Sequence, residues 1–512
     1  MTMGWGPVQL PRQVGDVLEP ALGANPTREA VVGSDSRLSY GQLDRTADGA
    51  ATALWDLGVR RGDVVGASLP NTTEIAIVFH AVMRVGAIFL GVNRSLAPPE
   101  KAFILDDAGA AAVITSPTDI EALSAVTKIP AVATNTTGGL CWEDTATDGG
   151  YRRAVCDLDD AAGIAYTSGT TGRPKGVVHS HRNLLLPGAA VVMERRYGAD
   201  LRKGDCTALT ILNLQVTSTL LTAQAGGTQV IMDRTDPVGI ASWIREEQIT
   251  SWFGVPTMLH GLALAPDVAV EDLASLEDVW TGGAHTPLSV RQAFEARFGK
   301  RVHSTYGMTE VPTIVTIEPL GTAPIPGSSG QPLPHLVVEI RGDDGQVLPV
   351  GHTGEITVRA QREGPWAGLY RPMLGYHGHA DATMQTVREA VLYTGDVGEV
   401  DEAGHLFVHG RRRALILRGG ANIYPAEVER VVAEVPGVLG VAVVGVADNR
   451  LGQRVAAAVE LAPGAAVTAG DLDARCRANL ARYKVPEQWR FVELPRNAMG
   501  KIARAELEHL FE

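Results

Sequence analysis

The chain has 512 residues, of which 45% are hydrophobic and 20% are charged. With typical domains of about 150 residues, this length predicts several folding units, and the composition excludes a disordered chain. Lys and Arg number 45 against 58 Asp and Glu, so the formal net charge is −13. This charge disfavours broad binding to nucleic acid or to an anionic membrane, because such binding needs clustered cations. A local basic site for one phosphorylated ligand is compatible with it.

Cysteine spacing and apolar stretches bear on the cellular compartment. The cysteines form no CxxC pair, which argues against a disulfide framework and leaves no recognisable zinc site. The N-terminus lacks the apolar core of a signal peptide. The longest apolar stretch, residues 75–92, is interrupted by two charged or polar side chains and a glycine, so it predicts a buried helix and a strand rather than a membrane span. We therefore predict a cytoplasmic protein. The cysteines are Cys141, Cys156, Cys206 and Cys476.

Short apolar runs alternate with amphipathic stretches through about the first 400 residues. Such strand–helix alternation favours layered α/β architecture with largely parallel sheets. The predicted elements are a strand over 64–69, a helix over 74–85, and strands over 87–92, 111–115 and 229–232.

The pattern changes after about residue 400, where enough chain remains for a small α+β domain. Residues 399–405 predict a strand end and a turn, and arginines follow at 411–413. We predict an α/β fold with an N-terminal region over 1–410, a boundary at 411–413 and a C-terminal domain over 414–512. The elements predicted beyond the boundary are a helix over 425–434, a strand over 438–446 and a helix over 471–481.

The most informative stretch is a glycine- and hydroxyl-rich loop after the apolar residues 161–165. Its glycines allow tight turns with amide groups that point at an anion, and its hydroxyls and lysine add donors and charge. It differs from the P-loop because Pro174 precedes Lys175. The loop predicts polyphosphate binding through Thr167, Ser168, Gly169, Thr170, Thr171, Gly172 and Lys175. For His179 and His181, which follow, we expect a structural role at the start of a helix.

The loop resembles the phosphate loop of the adenylate-forming superfamily, which includes acyl-CoA synthetases, aryl-CoA ligases, luciferases and adenylation domains. Four more motifs resemble that family in its order, so the resemblance spans nearly the whole chain. They are STYGMTE at 304–310, YTGD at 393–396, the segment from Gly410-Arg411 to PAEVE at 425–429, and PRNAMGKI at 495–502.

The resemblance implies a two-step reaction. A carboxylate attacks the α-phosphate of MgATP to give an acyl-adenylate, and a thiol, usually that of coenzyme A, then displaces AMP. Because two anions must meet, catalysis should rest on charge neutralisation and positioning. The family's small domain moves between the two steps, which makes Arg413 the hinge residue and 414–512 a mobile lid.

The resemblance also implies individual roles. Glu310 would ligate Mg²⁺ and Thr309 would contact phosphate, while Tyr306, beside Gly307, would stack on adenine. Asp396 would accept hydrogen bonds from the ribose hydroxyls, with support from Arg411. Lys501 would reach the α-phosphate and carboxylate oxygens. The backbone of a second wall would approach the adenylate at Gly282, Gly283 and Ala284, with His285 near the acid or facing solvent.

Two departures from the family pattern remove carboxylates near the thiol-using step. Ala414 follows the hinge, and the next loop reads Gly-Gly-Ala-Asn, with Ala421 where the family often has Glu. One interpretation is that adenylation is competent while transfer is weak or left to a carrier protein or partner ligase. The other is harmless drift.

The acid pocket is also unusual. Residues 210–218 stand where the family commonly shows a Pro-rich strand with an aromatic residue and His, and they contain none of these and no Asp. An α-amino acid substrate is therefore disfavoured, and a neutral-bodied, bulky acid fits. Asn213 and Gln215 could hydrogen-bond the substrate or satisfy buried backbone.

The leading interpretation is an acid–thiol ligase that uses ATP, Mg²⁺ and coenzyme A on a small-molecule carboxylic acid. The alternatives are an adenylation-only enzyme and a nucleotide-binding pseudoenzyme, although the latter would be expected to lose Lys501 or Glu310. A luciferase-like oxygenase has the same fold, and the sequence neither separates nor supports it.

Overall fold

The computed structural model describes residues 10–134, 151–167, 174–283, 286–412, 415–418, 421–448, 450–496 and 502–511. The first fifteen strands, numbered in chain order, are β1 (Glu29–Val32), β2 (Arg37–Ser39), β3 (Val64–Ser68), β4 (Ile88–Gly91), β5 (Ala110–Thr115), β6 (Ala131–Ala133), β7 (Ala161–Thr167), β8 (Lys175–Ser180), β9 (Arg202–Asp205), β10 (Thr228–Ile231), β11 (Ser251–Phe253), β12 (Asp278–Thr281), β13 (Val302–Met308), β14 (Val311–Ile317) and β15 (Gln331–Pro332). The remaining strands are β16 (Leu336–Arg341), β17 (Gly354–Ala360), β18 (Gly375–Tyr376), β19 (Val387–Arg388), β20 (Val391–Val400), β21 (Leu406–Arg411), β22 (Ile416–Arg418), β23 (Ala421–Ile423), β24 (Val438–Asp448), β25 (Gly452–Leu461) and β26 (Gln488–Phe491).

Helices alternate with the strands through most of the described chain. The α-helices are α1 (Glu19–Ala24), α2 (Tyr40–Asp56), α3 (Thr73–Val85), α4 (Pro98–Asp107), α5 (Ile120–Ser124), α6 (His181–Arg195), α7 (Leu212–Leu214), α8 (Leu221–Ala225), α9 (Pro237–Glu246), α10 (Pro256–Leu264), α11 (Leu288–Phe298), α12 (Ala380–Thr386), α13 (Pro425–Ala433) and α14 (Ala469–Asn479). A π-helix covers Gln215–Leu220, and short 3₁₀ turns cover Val14–Asp16, Pro117–Asp119, Val270–Leu273, Arg482–Lys484, Arg504–Glu506 and Glu508–Phe511.

Two large mixed sheets form the first part of the N-terminal region. One has nine strands in the order β15-β14-β13-β12-β11-β9-β10-β1-β2, and the other has seven in the order β18-β8-β7-β4-β3-β5-β6. The pairs inside each sheet are parallel, and antiparallel pairs lie towards the edges. This confirms the predicted α/β layers, because parallel strands need helical crossovers.

The strongest local patterns explain why these elements form. All five residues of β3 are buried, as expected for a parallel strand covered on both faces. Helix α3 is buried at every position except Glu74 and ends at Gly86, whose φ of 76° favours glycine. The predicted helix and strand over 75–92 are therefore confirmed as α3 and β4. Among the described residues, none of the helices combines the length and apolarity that a membrane crossing requires.

A third sheet in the N-terminal region is antiparallel, which the predicted alternation of strands and helices did not include. Its order is β16-β17-β20-β19, with β21 paired to β20. Strands β16 and β17 are only partly buried, so they lack the continuous apolar run that signals a parallel strand. The expectation of largely parallel sheets through about residue 400 is therefore wrong for this part of the chain.

The C-terminal domain is separate and has its own sheet, in the order β23-β22-β25-β24 with β26 paired to β25. Helix α13 packs on β24 of this sheet and α14 packs on α13, around a core that includes Val432, Val443 and Leu472. Sheet membership changes between β21 and β22, that is, between Arg411 and Ile416. This supports the boundary at 411–413, which stays a prediction because residues 413–414 lie outside the described ranges.

Candidate active site

The two ends of the predicted phosphate loop are held together by an antiparallel ladder. Strands β7 and β8 pair so that Thr167 lies directly opposite Lys175. The loop is therefore anchored at both ends, with Lys175 at the start of β8. The positions of Ser168, Gly169, Thr170, Thr171 and Gly172 fall outside the described residues.

The hairpin between β13 and β14 carries the predicted metal and phosphate residues. Thr309 and Glu310 form its turn, and Met308 pairs with Val311. A Cβ added at Gly307 would lie 1.5 Å from the carbonyl oxygen of Thr313, a threonine with a φ of 75°. Only glycine fits at this approach, and strain of the kind at Thr313 clusters at functional sites.

Tyr376 contacts both Lys175, the predicted phosphate lysine, and Glu310, the predicted metal ligand. Its hydroxyl donates a 2.9 Å hydrogen bond to Oε1 of Glu310, and Nζ of Lys175 lies 5.6 Å from its ring centre. Burial, with the nearby Glu310 charge, raises the pKa of Tyr376 well above its usual range. The phenol therefore keeps its proton and acts as a donor.

His179 lies in β8 and also contacts the turn of the β13–β14 hairpin. Its Nε2 is 2.7 Å from the carbonyl oxygen of Thr309, and burial lowers its pKa to about 4. The ring is therefore neutral at neutral pH, and Nε2 must carry the proton to donate this bond. The expectation of a helix-start role is confirmed for His181, the first residue of α6, but it is wrong for His179, which is a strand residue.

The predicted ribose residues form a second group. Asp396 and Arg411 face each other across β20 and β21, and Nε of Arg411 lies 3.1 Å from Oδ1 of Asp396. The hydroxyl of Tyr306 donates to Oδ2 of Asp396 at 2.7 Å. Burial and the Asp396 charge raise the pKa of Tyr306 well above its usual range. The Tyr306 phenol therefore keeps its proton and donates it to the Asp396 carboxylate.

The second predicted wall follows β12. A Cβ at Gly282 would lie 2.3 Å from Oγ1 of Thr305, and Gly283 has a φ of 78°, so both positions favour glycine. Oγ1 of Thr305 also donates to the Thr281 carbonyl at 3.0 Å, which joins this wall to β13. Ala284 and His285 lie outside the described residues.

The stretch predicted to line the acid pocket forms helical turns rather than a strand. Asn213 lies in α7, half-buried, and Gln215 starts the π-helix and is fully buried. Nε2 of Gln215 donates to the Leu209 carbonyl at 2.6 Å, and its Oε1 accepts from Thr219 at 2.7 Å. The geometry supports the interpretation that Gln215 satisfies buried backbone. Inserted π-turns occur often at functional sites.

The C-terminal residues of the prediction are only partly described. Lys501 and Arg413 lie outside the described ranges. Arg496 and Ile502 form an antiparallel bridge that brackets residues 497–501. Ala421 begins β23 and pairs with Arg418.

Two groups are thus brought together and share one hairpin. Tyr306, which was predicted to stack on adenine, bonds to the predicted ribose residue Asp396, while Thr309 and Glu310, a few residues later, are the predicted phosphate and metal residues. Tyr376 was missed in the sequence, since its place depends on pairing of β18 with β8, about two hundred residues away. No local motif signals such a pairing.

Comparison with known proteins identifies the family of the chain. The family described as AMP-binding enzyme matches residues 18–366, and AMP-binding enzyme C-terminal domain matches residues 427–501. The chain is 34% identical over 497 residues to feruloyl-CoA synthase of an Amycolatopsis species, covering 95% of this chain and 96% of that protein. It is 31% identical over 515 residues to long-chain-fatty-acid–CoA ligase FadD13 of Mycobacterium tuberculosis, covering 98% and 99%.

A solved structure gives the same result. Anthranilate CoA ligase AuaEII in complex with anthranoyl-AMP superposes with a TM-score of 0.89 at 26% identity, covering 98% of each chain. The likenesses in sequence and structure cover nearly the whole chain, and the five motifs occur in the family's order. The chain therefore belongs to the AMP-binding enzyme family of adenylate-forming ligases.

Proposed function

We propose that the protein activates a small-molecule carboxylic acid with MgATP and transfers the acyl group to coenzyme A. The observation that carries this proposal is the β13–β14 hairpin, which joins Tyr306 at the Asp396 and Arg411 pair to Glu310 beside Tyr376 and Lys175. In this proposal the ribose lies at Asp396, and the phosphates lie at Lys175 and Glu310. The cationic groups offset phosphate charge locally although the whole chain is anionic.

Magnesium fits the residues that are present. Glu310 supplies a carboxylate oxygen, the hard donor that Mg²⁺ prefers. Within the described ranges, no group of three or more His, Cys, Asp or Glu could hold a metal ion. Mg²⁺ would therefore share Glu310 with phosphate oxygens and water, as is usual for this ion. Bound there, it supplies neutralisation of phosphate charge.

In this proposal the chain's own residues act by positioning and charge. The phosphate loop and Lys175 hold the β- and γ-phosphates, and Asp396 and Arg411 hold the ribose. Lys501, delivered by the C-terminal domain acting as a mobile lid, stabilises the charge that develops as the acid attacks the α-phosphate. Arg413 is then the hinge residue.

For the acid, a neutral body is proposed. Residues 210–218 carry no charged side chain, and the side-chain amide of Gln215 is already hydrogen-bonded to Leu209 and Thr219. Of the two predicted polar contacts with the acid, this leaves Asn213. The relatives are named for feruloyl and long-chain fatty acyl products, and both acids have uncharged bodies.

Adenylation without efficient transfer is the second candidate. It is favoured by Ala421, which supplies only a methyl group at the start of β23, where the family often places a carboxylate. A carrier protein or partner ligase would then take the acyl group. A cytoplasmic location suits both candidates.

The test is a pyrophosphate-release screen over fatty, aryl, terpenoid and amino acids, with and without coenzyme A, alongside detection of acyl-CoA. We expect Mg²⁺-dependent release with a neutral-bodied acid, and acyl-CoA formed at a matching rate. Release without acyl-CoA would support the adenylation-only candidate. ATP binding with no release for any acid would overturn both and favour a pseudoenzyme.

A further inference from the structure

A tyrosine outside the five motifs is tied to the metal carboxylate. Tyr376 lies in the two-residue strand β18, which pairs with Val177 and Val178 of β8. Its hydroxyl donates to Oε1 of Glu310 at 2.9 Å. This contact joins an edge strand of the seven-stranded sheet to the β13–β14 turn.

The backbone around Tyr376 is fixed on both sides. The amides of Leu374 and His377 donate to Val178 and Gly176 at 2.9 and 2.7 Å. On the other side, the amide of Tyr376 donates to Oγ1 of Thr383 in α12 at 2.9 Å. The phenol is therefore presented from a rigid position, which is the condition for orienting a flexible partner.

Glu310 needs such a partner because it lies in a turn and is half-buried. The terminal torsion of a glutamate is broad, so a free carboxylate samples many orientations and loses entropy when it binds a metal. A donor fixed on one oxygen holds the carboxylate plane and leaves lone pairs on both oxygens for a cation. Outer partners of this kind commonly set the affinity of metal sites.

The ring of Tyr376 also faces the phosphate lysine. Nζ of Lys175 lies 5.6 Å from the ring centre, within the range of a cation–π contact. One side chain thus touches both the cation expected at the phosphates and the carboxylate expected at the metal. Hydroxyl and ring can be tested apart, because phenylalanine keeps the ring.

We propose that Tyr376 is a positioning residue that orients Glu310 for the divalent cation bound with ATP. This inference rests on the proposed use of MgATP. Without the hydroxyl, Glu310 remains present but must be ordered by the metal itself.

The test compares Tyr376→Phe with Tyr370→Phe, a matched control. Tyr370 is buried where Tyr376 is half-buried, it packs against His335, and it has no hydrogen-bond partner for its hydroxyl among the described residues. The readout is Mn²⁺ affinity in the presence of a non-hydrolysable ATP analogue, measured by electron paramagnetic resonance. We expect about tenfold weaker Mn²⁺ binding in Tyr376→Phe and wild-type binding in Tyr370→Phe. Binding of the analogue without metal should be unchanged in both.

A double variant shows whether the effect passes through Glu310. In a Glu310→Gln background, Tyr376→Phe should cause no further loss of Mn²⁺ affinity, because coupled residues are not additive. If Tyr376→Phe does not fold, Thr383→Val, which removes the acceptor for the Tyr376 amide, should weaken Mn²⁺ binding in its place. Melting curves report folding for each variant.

The outcomes separate this inference from the proposed function. Unchanged Mn²⁺ affinity in folded Tyr376→Phe overturns the role of Tyr376, even where the wild type releases pyrophosphate. If Mn²⁺ affinity is weakened but none of the acids tested causes pyrophosphate release, the positioning role of Tyr376 is supported and the proposed ligase function is overturned. Equal weakening by Tyr370→Phe also overturns the inference, since it would mark a general loss of packing.

Discussion

The hydroxyl of Tyr306 donates a 2.7 Å hydrogen bond to Oδ2 of Asp396, a residue 90 positions later in the sequence. The bond joins β13 of the nine-stranded sheet to β20 of the antiparallel sheet. Two motifs that the sequence shows separately thus form one hydrogen-bonded unit. The other carboxylate oxygen of Asp396, Oδ1, lies 3.1 Å from Nε of Arg411.

Removal of this hydroxyl should weaken nucleotide binding. In Tyr306→Phe, Asp396 loses a donor that holds its carboxylate in the position where we propose that the ribose binds. A hydrogen bond to a charged group contributes about 1.5–3 kcal/mol, and about 1.4 kcal/mol corresponds to a tenfold change in affinity. We therefore expect ATP-analogue affinity, measured by calorimetry, to fall about tenfold or more.

Tyr197→Phe is the matched control for that variant. Tyr197 donates to Oδ2 of Asp278 at 2.6 Å, so it loses the same kind of bond at residues to which no nucleotide role is assigned. It should lower the melting temperature while leaving ATP-analogue affinity unchanged. Equal affinity losses in the two variants would contradict the nucleotide role of the Tyr306 and Asp396 pair.

Gly307 should be irreplaceable for reasons of space. In Gly307→Ala the new Cβ would lie 1.5 Å from the Thr313 carbonyl oxygen, so the hairpin must open and Glu310 must move. Displacement of about 1 Å in a catalytic group can cost about a hundredfold in rate. We expect pyrophosphate release to fall by at least that factor.

Gly299→Ala is the control, because Gly299 is favoured by its backbone conformation and not by lack of space for a side chain. Gly299 ends α11 with a φ of 65° and has no atom within 4 Å of an added Cβ. The substitution should cost about 1 kcal/mol of stability through backbone strain and leave the rate unchanged. A Gly307→Ala variant that behaved like Gly299→Ala would refute the steric account.

What the sequence could predict depends on whether the signal is local. Strand β3 and helix α3 were predicted because continuous burial leaves an apolar run in the sequence, and Glu310 and Asp396 were found because each stands in a contiguous motif. Tyr376 contacts Glu310 because β18 pairs with β8, and His179 of β8 contacts the Thr309 carbonyl in the turn between β13 and β14. Such contacts depend on tertiary packing, which overrides local pattern.

Substitution of Lys501 should abolish catalysis without abolishing nucleotide binding. The lysine lies in a motif of the C-terminal domain, so we expect Lys501→Ala to abolish pyrophosphate release while ATP-analogue binding stays measurable. Lys175→Ala, at the end of the phosphate loop, should weaken binding itself, because its charge would meet phosphate in the ground state. Unchanged pyrophosphate release in Lys501→Ala would refute the assigned role.

Stability should fall in mild acid through buried histidines, and His335 offers the cleanest test. Its ring packs between Trp366 and Tyr370, and burial lowers its pKa from 6.5 to about 3. Between these values the unfolded chain binds a proton that the folded chain does not. The contribution of the neutral His335 ring to the free energy of unfolding is therefore complete above pH 6.5 and is lost as pH falls towards 3.

His335→Phe removes this proton uptake and keeps an aromatic ring in the cluster. One proton corresponds to about 1.4 kcal/mol per pH unit, so the variant should gain about 2 kcal/mol on the wild type between neutral pH and about pH 5. Apparent melting temperatures at the two pH values measure this difference. His352→Gln, a change at an exposed histidine, should track the wild type at both. A constant gap between His335→Phe and the wild type would contradict this account, because it would mean that His335 binds a proton equally in the folded and unfolded chain.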